Sequence, residues 1–434
     1  MKTKRKIFDL SAISIIACDC LQGVILIFVD LFLVANILKN QSLGQDITYN
    51  IIMIGVFYVI YYTALGLSYL YTGYFLKNHN KSIFVSVGAI CLTLVVLMIY
   101  LLGDQLIVYL PLVAFLYGFS FGFYSSGYHN LTSETISSKH QVRFFAVKRI
   151  VFQATYIVFP VAFGFIIDKV NFSIMALIMV VLCVAFVVFS FLIRPKKVYK
   201  LSFNIRKFYR YLKNNKQSTE PLKYVYINNF FRGASYDCFT TLITILVWTS
   251  LQSNSSLGIM QSIFTLCSLV TMFLYLRYYR KKRAKQFIFP VIILVSLAVI
   301  GIICTAGTSL IAIVIFYAVY TILNVILMSI SDSRKASMVR ILSLHSHILE
   351  STALMEFSLA TGRVMSSVLI ILAGVFDGLV GNGSTIFLFI NLGIVCVLYI
   401  FYGLSCYWIE KSLIRQDEQF HKIHVNELFE QVED

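Results

Sequence analysis

Apolar residues in this chain run on continuously, without the alternation of a half-buried strand or the three-to-four spacing of a surface helix. Short polar clusters divide them into twelve blocks, each long enough to cross about 30 Å of hydrocarbon as a helix. The blocks cover residues 11–38, 51–76, 82–102, 106–128, 144–167, 172–193, 224–248, 257–276, 287–306, 309–331, 351–376 and 385–408. Barrel strands are excluded, because lipid-facing strands alternate and these runs do not. The expected fold is all-α, a polytopic membrane protein with twelve transmembrane helices. The longest polar interval, residues 194–223, falls near the middle and carries ten Lys and Arg against one acid, Glu220. It divides the chain into a first six-helix bundle (1–193), a basic linker (194–223), a second six-helix bundle (224–410) and a tail (411–434).

Composition excludes a soluble domain. Mean hydropathy is +0.82, and 13% of residues are charged, against about a quarter in soluble proteins. The net charge of +16 therefore reads as a topology signal, with no nucleic-acid partner. With the N terminus inside, the basic clusters at 2–6, 77–81, 139–149, 194–223, 277–285, 334–340 and 411–422 are all cytoplasmic. Only Lys39 and Lys169 fall outside, so both termini and the linker are expected in the cytoplasm. Labelling tests this: Asn382→Cys should react with an impermeant maleimide on intact cells, and Ser218→Cys only after permeabilisation. The opposite pattern overturns the orientation. The segment MKTKRK precedes an apolar run too long for a cleavable signal core. All nine cysteines lie in expected spans, without disulfide or metal spacing.

Two six-helix halves joined by a long cytoplasmic loop resemble the major facilitator superfamily, over essentially the full length. Gly23 and Gly233 recur in the first helix of each half, and Gly164 and Gly374 in the fifth, as a parallel repeat would place them. The signature stretch between helices two and three is Gly73-Tyr74-Phe75-Leu76-Lys77-Asn78-His79-Asn80-Lys81. Gly73 and Lys81 match the family, Lys77 stands for its acid and Asn80 for its second glycine. Asn80 tolerates a left-handed backbone, which would keep the turn. The missing acid implies that the cytoplasmic gate network is absent or rebuilt around Glu134 and Arg143. GFSFGFYSSGYHNLTSE, FFRG and MEFSLATGR are similar to a bacterial branch of the superfamily with no assigned substrate. The proton-driven drug exporters carry glycine before a helix-five proline, where this chain has Phe159 before Pro160. The resemblance implies a monomer in the bacterial cytoplasmic membrane that alternates access to a cavity between two bundles.

Gly118-Phe119-Ser120-Phe121-Gly122 matches a serine-hydrolase elbow, but that elbow needs a strand, a sharp turn and a helix. Mid-way along a membrane helix, Gly118, Gly122, Ser125 and His129 instead form a small face for close helix packing. Tyr117, Tyr124 and Tyr128 form the adjoining stripe, as core or as cavity wall. His79, His140, His345 and His347 fall in loops and are expected to be solvated.

Charges within the bilayer cost roughly 2.5–3.5 kcal/mol each on insertion scales, so they mark function or pairing. Helix one holds Asp19, Gln22 and Asp30, helix seven Arg232 and Asp237, and helix eleven Glu356 and Arg363. Asp30 is expected at the outer interface, Glu356 and Arg363 as a bracing pair, and Arg232 near mid-membrane. Asp19 and Arg232 are favoured as functional, with Asp19 or Asp237 carrying a coupling proton. Helix ten places Tyr317, Thr321, Asn324 and Ser331 on one polar face. No ATP-binding loop, redox motif, cofactor motif or catalytic cluster is evident, so no enzyme activity is expected. The expected function is secondary transport of a small anionic or zwitterionic solute, coupled to protons. A transporter-like receptor or accessory protein, and an exporter of amphipathic drugs, remain as alternatives.

Overall fold

The computed structural model describes residues 10–39, 47–76, 80–135, 141–194, 203–278, 284–305, 309–343, 347–380 and 386–433. Of these 96% are helical, and no strand occurs among them. Twelve helices are long and apolar enough to cross a membrane. They are α1 (Leu10–Lys39), α2 (Ile47–Leu76), α3 (Lys81–Leu102), α4 (Leu106–Tyr128), α5 (Val147–Lys169) and α6 (Phe172–Phe191) in the first bundle. The second holds α7 (Glu220–Leu251), α8 (Asn254–Tyr275), α9 (Gln286–Cys304), α10 (Leu310–Lys335), α11 (Leu349–Val380) and α12 (Ile386–Ser412). Their outward faces are apolar: Leu94, Val181, Phe273, Ile311 and Leu379 are all exposed, as lipid contact requires.

The bundles meet along two seams, α2 against α11 and α5 against α8. Both seams depend on the repeated glycines. A side chain at Gly164 would collide with the Asn254 backbone at the start of α8. One at Gly374 would collide with Ile52 near the start of α2. The two residues make the same contact from opposite bundles, fifth helix against second, which is what a parallel repeat produces. On the side away from the linker (the far side), the seam between α5 and α8 is also tied by Asp168. Its carboxylate accepts from the backbone N–H groups of Asn254 (3.2 Å) and Ser255 (2.7 Å). The Asn254 amide (2.9 Å) and Ser253 hydroxyl (3.2 Å) donate to it as well. An acid there satisfies the free N–H groups of the first turn of α8 and complements its dipole.

At the linker end, Gly73 faces the Phe203 ring, and a Cβ there would overlap it. Asn80 does not take the left-handed backbone that the signature suggests. It is extended (φ −68°, ψ 125°) and caps α3, accepting from the Ser82 N–H at 3.2 Å. Lys81 is buried at the start of α3. Lys77 and the side chains of Glu134 and Arg143 lie outside the described residues. So does the side chain of Asp237.

The linker is more than a tether. Residues Ile205–Asn214 form a helix capped by Asn204, whose side chain accepts from the Lys207 N–H at 3.0 Å. The Asn204 N–H in turn donates to the buried carboxylate of Glu350 on α11, at 2.6 Å. His347, expected to be solvated, is half-buried with its ring 5.5 Å from Phe208 and 5.3 Å from Tyr211 of this helix.

The small face of α4 packs on α2, where Gly118 meets the Tyr61 carbonyl and Gly122 the Ser68 side chain. Tyr117 stacks on Tyr61 at 4.7 Å and Tyr124 packs on Phe186 at 5.0 Å, both inside the bundle. The first helix of each bundle carries a π-helical turn, Phe28–Leu33 in α1 and Gly233–Asp237 in α7. Such turns widen a helix locally and occur often at functional sites.

Candidate functional site

A cavity of about 360 Å³ lies midway between the bundles. From the first bundle, α1 contributes Asp30, α2 contributes Tyr58, and α5 contributes Arg149, Phe152, Gln153 and Tyr156. From the second, α7 contributes Tyr236, Thr240, Thr241 and Thr244, and α8 contributes Gln261, Thr265 and Ser268. From α10 come Tyr317, Tyr320, Thr321 and Asn324.

Internal hydrogen bonds orient these groups. Tyr58 reaches the Asp30 carboxylate at 3.5 Å, and Tyr317 donates to the side-chain carbonyl of Gln261. Tyr320 donates to the carbonyl of Tyr236 at 3.1 Å, inside the π-helical turn of α7. The Asn324 side-chain carbonyl accepts from Tyr399 of α12 at 3.2 Å, which fixes the amide plane. The cavity thus holds a carboxylate, a guanidinium, three amides and a rim of threonine and tyrosine hydroxyls. Leu26, Ile27, Leu31, Phe152, Ile243, Val325 and Met328 supply apolar wall between these groups.

A second cavity, about 240 Å³, lies nearer the linker end. Asp19 and Gln22 of α1, Tyr128 of α4, Lys148 of α5, and Glu356 and Arg363 of α11 line it. Asp19 pairs with Lys148 at 3.3 Å, and the same ammonium sits 4.6 Å from the centre of the Tyr128 ring. Glu356 pairs with Lys335 of α10. The Arg363 guanidinium lies 5.0 Å from the centre of the Tyr62 ring. Leu26 and Phe152 line both cavities and form the wall between them.

The sequence candidates therefore fall into three places. Asp30, Tyr317, Thr321 and Asn324 meet in the central cavity. Asp19, Gln22, Glu356 and Arg363 meet in the second. Arg232 lines neither: it bonds Asp332 of α10 at 2.5 Å. Its helix begins four residues earlier than the apolar pattern indicates, and Arg232 stands nineteen residues before Leu251. At 1.5 Å per residue that is about 28 Å from the far end of α7 and about 18 Å from its linker end, so Arg232 lies in the linker-side half of the helix. Asp30 moves from an expected interface to the cavity. Glu356 takes its cation from α10 across the bundle. Ser331 leaves the polar face of α10 and bonds Asn228 of α7 at 2.5 Å.

Two cavity-lining cations are not singled out as site candidates by the sequence. Lys148 and Arg149 lie inside the fifth apolar block, near its start, and count with the cytoplasmic cluster 139–149. The structure carries α5 through both, so that Lys148 enters the second cavity and Arg149 the first. Asp332, Arg334 and Lys335 on α10 also reach three helices: Arg232 of α7, Glu410 of α12 and Glu356 of α11. The Arg334–Glu410 pair is bidentate (2.6 and 2.8 Å) and buried. These pairs brace the second bundle at its linker end.

Comparison with known proteins decides the family. The Major Facilitator Superfamily sequence pattern matches residues 21–348. The chain belongs to the major facilitator superfamily. It is a membrane transporter, and transporters of the superfamily move small-molecule solutes. No curated protein sequence matches the chain. Solved major facilitator structures share its fold at 10–12% identity. The POT family transporter PepTSo has a TM-score of 0.70, covering 94% of this chain and 99% of its own. A bacterial homologue of the iron transporter ferroportin, in an inward-facing state, has a TM-score of 0.66, covering 94% and 100%. The human organic anion transporter MFSD10 has 0.58, covering 91% and 99%. At these identities the likeness is one of fold.

Proposed function

We propose that the chain is a secondary transporter of a small zwitterionic solute, driven by protons and working by alternating access as a monomer. The observation that carries this reading is the central cavity. Asp30 and Arg149 offer opposite charges on α1 and α5 of the first bundle, and the second bundle faces them with threonines, tyrosines and amides. A zwitterion would satisfy both charges, whereas an anion alone would leave Asp30 facing it. At about 360 Å³ the cavity is at the small end of ligand pockets, about 300–1,000 Å³. With the linker in the cytoplasm, the seam that Asp168 ties is the outer one, and the second cavity lies on the cytoplasmic side of the first. That arrangement suits an inward-facing state, with Asp168 releasing the start of α8 when the outer side opens.

The second cavity supplies the coupling group. A proton on Asp19 would cancel its attraction for Lys148 and free the α1–α5 contact, so proton binding and helix movement would share one pair. The paired charges in the cavity argue against a receptor that has lost transport.

A melting-temperature screen of the purified protein tests the substrate class. A zwitterion at a hundred times its Kd should stabilise the fold by about 2.7 kcal/mol, and matched anions and neutral solutes should not. Arg149→Gln and Asp30→Asn should each abolish that shift while leaving the ligand-free melting temperature within about 2 °C, as changes at cavity walls away from packing do. A shift produced equally by neutral solutes, or surviving both substitutions, rejects the zwitterion.

A further inference from the structure

The linker helix Ile205–Asn214 has two unlike faces. Phe208 is fully buried, and Ile205, Tyr211 and Leu212 are half-buried beside it. Arg206, Lys207, Arg210 and Lys213 are exposed on the other side, with Tyr209 71% exposed among them. The helix contains no acid. Its apolar side is already spent, since Phe208 packs with Leu222 and Val225 of α7, Met355 of α11 and Ile409 of α12. Four cations on a single short helix repel one another, and among the described residues no acid pairs with them.

The packing partners fix the depth of the helix. Leu222 and Val225 are the third and sixth residues of α7, Met355 the seventh of α11, and Ile409 the fourth from the end of α12. At 1.5 Å per residue, all lie within about 10 Å of the ends of their spans. The Tyr224 and Trp408 rings, 6.5 Å apart, mark the same level, where aromatic side chains sit at the membrane surface. The helix is therefore held beside the linker-side ends of α7, α11 and α12, pinned by Phe208 and by the bond from Asn204 to Glu350.

We propose that the exposed face of this helix binds the headgroups of anionic phospholipids in the surrounding leaflet. The chemistry is that of an interfacial amphipathic helix: cations meet lipid phosphates, while the apolar side holds the helix against the protein instead of the acyl chains. The pinned backbone gives the cations a fixed array, and Tyr209 reaches the interface beside them. This surface is independent of the solute cavity and of any coupling mechanism.

Native mass spectrometry on the full chain in neutral detergent tests it, with phosphatidylglycerol titrated against phosphatidylcholine. Each cation near a charged membrane surface contributes about fivefold in affinity at low salt. The variant Arg206→Gln/Lys207→Gln/Arg210→Gln/Lys213→Gln should weaken the tightest phosphatidylglycerol at least tenfold, with phosphatidylcholine unchanged. The charge-conserving variant Lys207→Arg/Lys213→Arg should bind within about twofold of the parent, both side chains being cationic. Should the quadruple variant melt lower than the parent, the four single variants are read instead, each weakening phosphatidylglycerol binding. Parental affinity in the quadruple variant, or in all four singles, overturns the proposal. So does phosphatidylcholine binding as tightly as phosphatidylglycerol, or displacement of the lipid by an equal concentration of glycerol phosphate.

Discussion

Asp19→Asn is expected to abolish proton-driven accumulation of solute while leaving solute exchange across the membrane measurable. Asparagine cannot carry the proton, but the central cavity does not include residue 19 and remains intact. The same substitution strands Lys148, whose partner it removes. Losing one member of a buried pair costs about 3–5 kcal/mol. Here about 2–3 kcal/mol is expected, because a fifth of the Lys148 side chain stays exposed. The double variant Asp19→Asn/Lys148→Gln should therefore regain most of the lost melting temperature and still fail to accumulate solute. That separation of stability from accumulation is the deciding readout. Unchanged accumulation in Asp19→Asn at equal expression removes Asp19 as the coupling group, and Asp237 becomes the next residue to test.

A larger loss of stability is expected at the other end of the charge network. Glu410→Gln leaves the Arg334 guanidinium buried between α10 and α12 without its bidentate partner. Arginine does not shed its proton, so the charge stays and the fold loses about 3–5 kcal/mol. Replacing both, as Arg334→Met/Glu410→Leu, keeps the volume and removes the charge, and should restore the melting temperature to near the parent or above. If the single variant melts like the parent, water reaches the pair and it contributes no more than a surface ion pair.

The twelve spans were legible because a membrane asks one thing of sequence, continuous apolarity, and the chain supplies it without ambiguity. The polar face of α10 was legible for the same local reason: Tyr317, Thr321 and Asn324 share one side of a helix and line one cavity. The partners of the charges were not. Asp19 meets a lysine 129 positions away, and nothing within α1 indicates which helix will lie beside it. Arg232 likewise meets an acid a hundred positions away, Asp332 on α10, which nothing within α7 indicates. Asp30 misled through shape, because it occupies a π-helical turn that no hydropathy pattern records. Local periodicity describes single helices, and a charge inside a membrane is explained only by the neighbour it finds.

Lys148 and Arg149 are consecutive residues on one rigid helix, yet each belongs to a different cavity. Their Cα atoms are one peptide bond apart on that helix. Any tilt or axial slide of α5 displaces both cations together, by nearly the same amount and at the same instant. If Asp19 takes the proton and Arg149 meets the solute, a shift of the α5 backbone acts on both contacts at once. A carrier built this way has a short mechanical path between fuel and cargo, and a single residue added before Lys148 would turn both cations about 100° around α5, away from their present cavities.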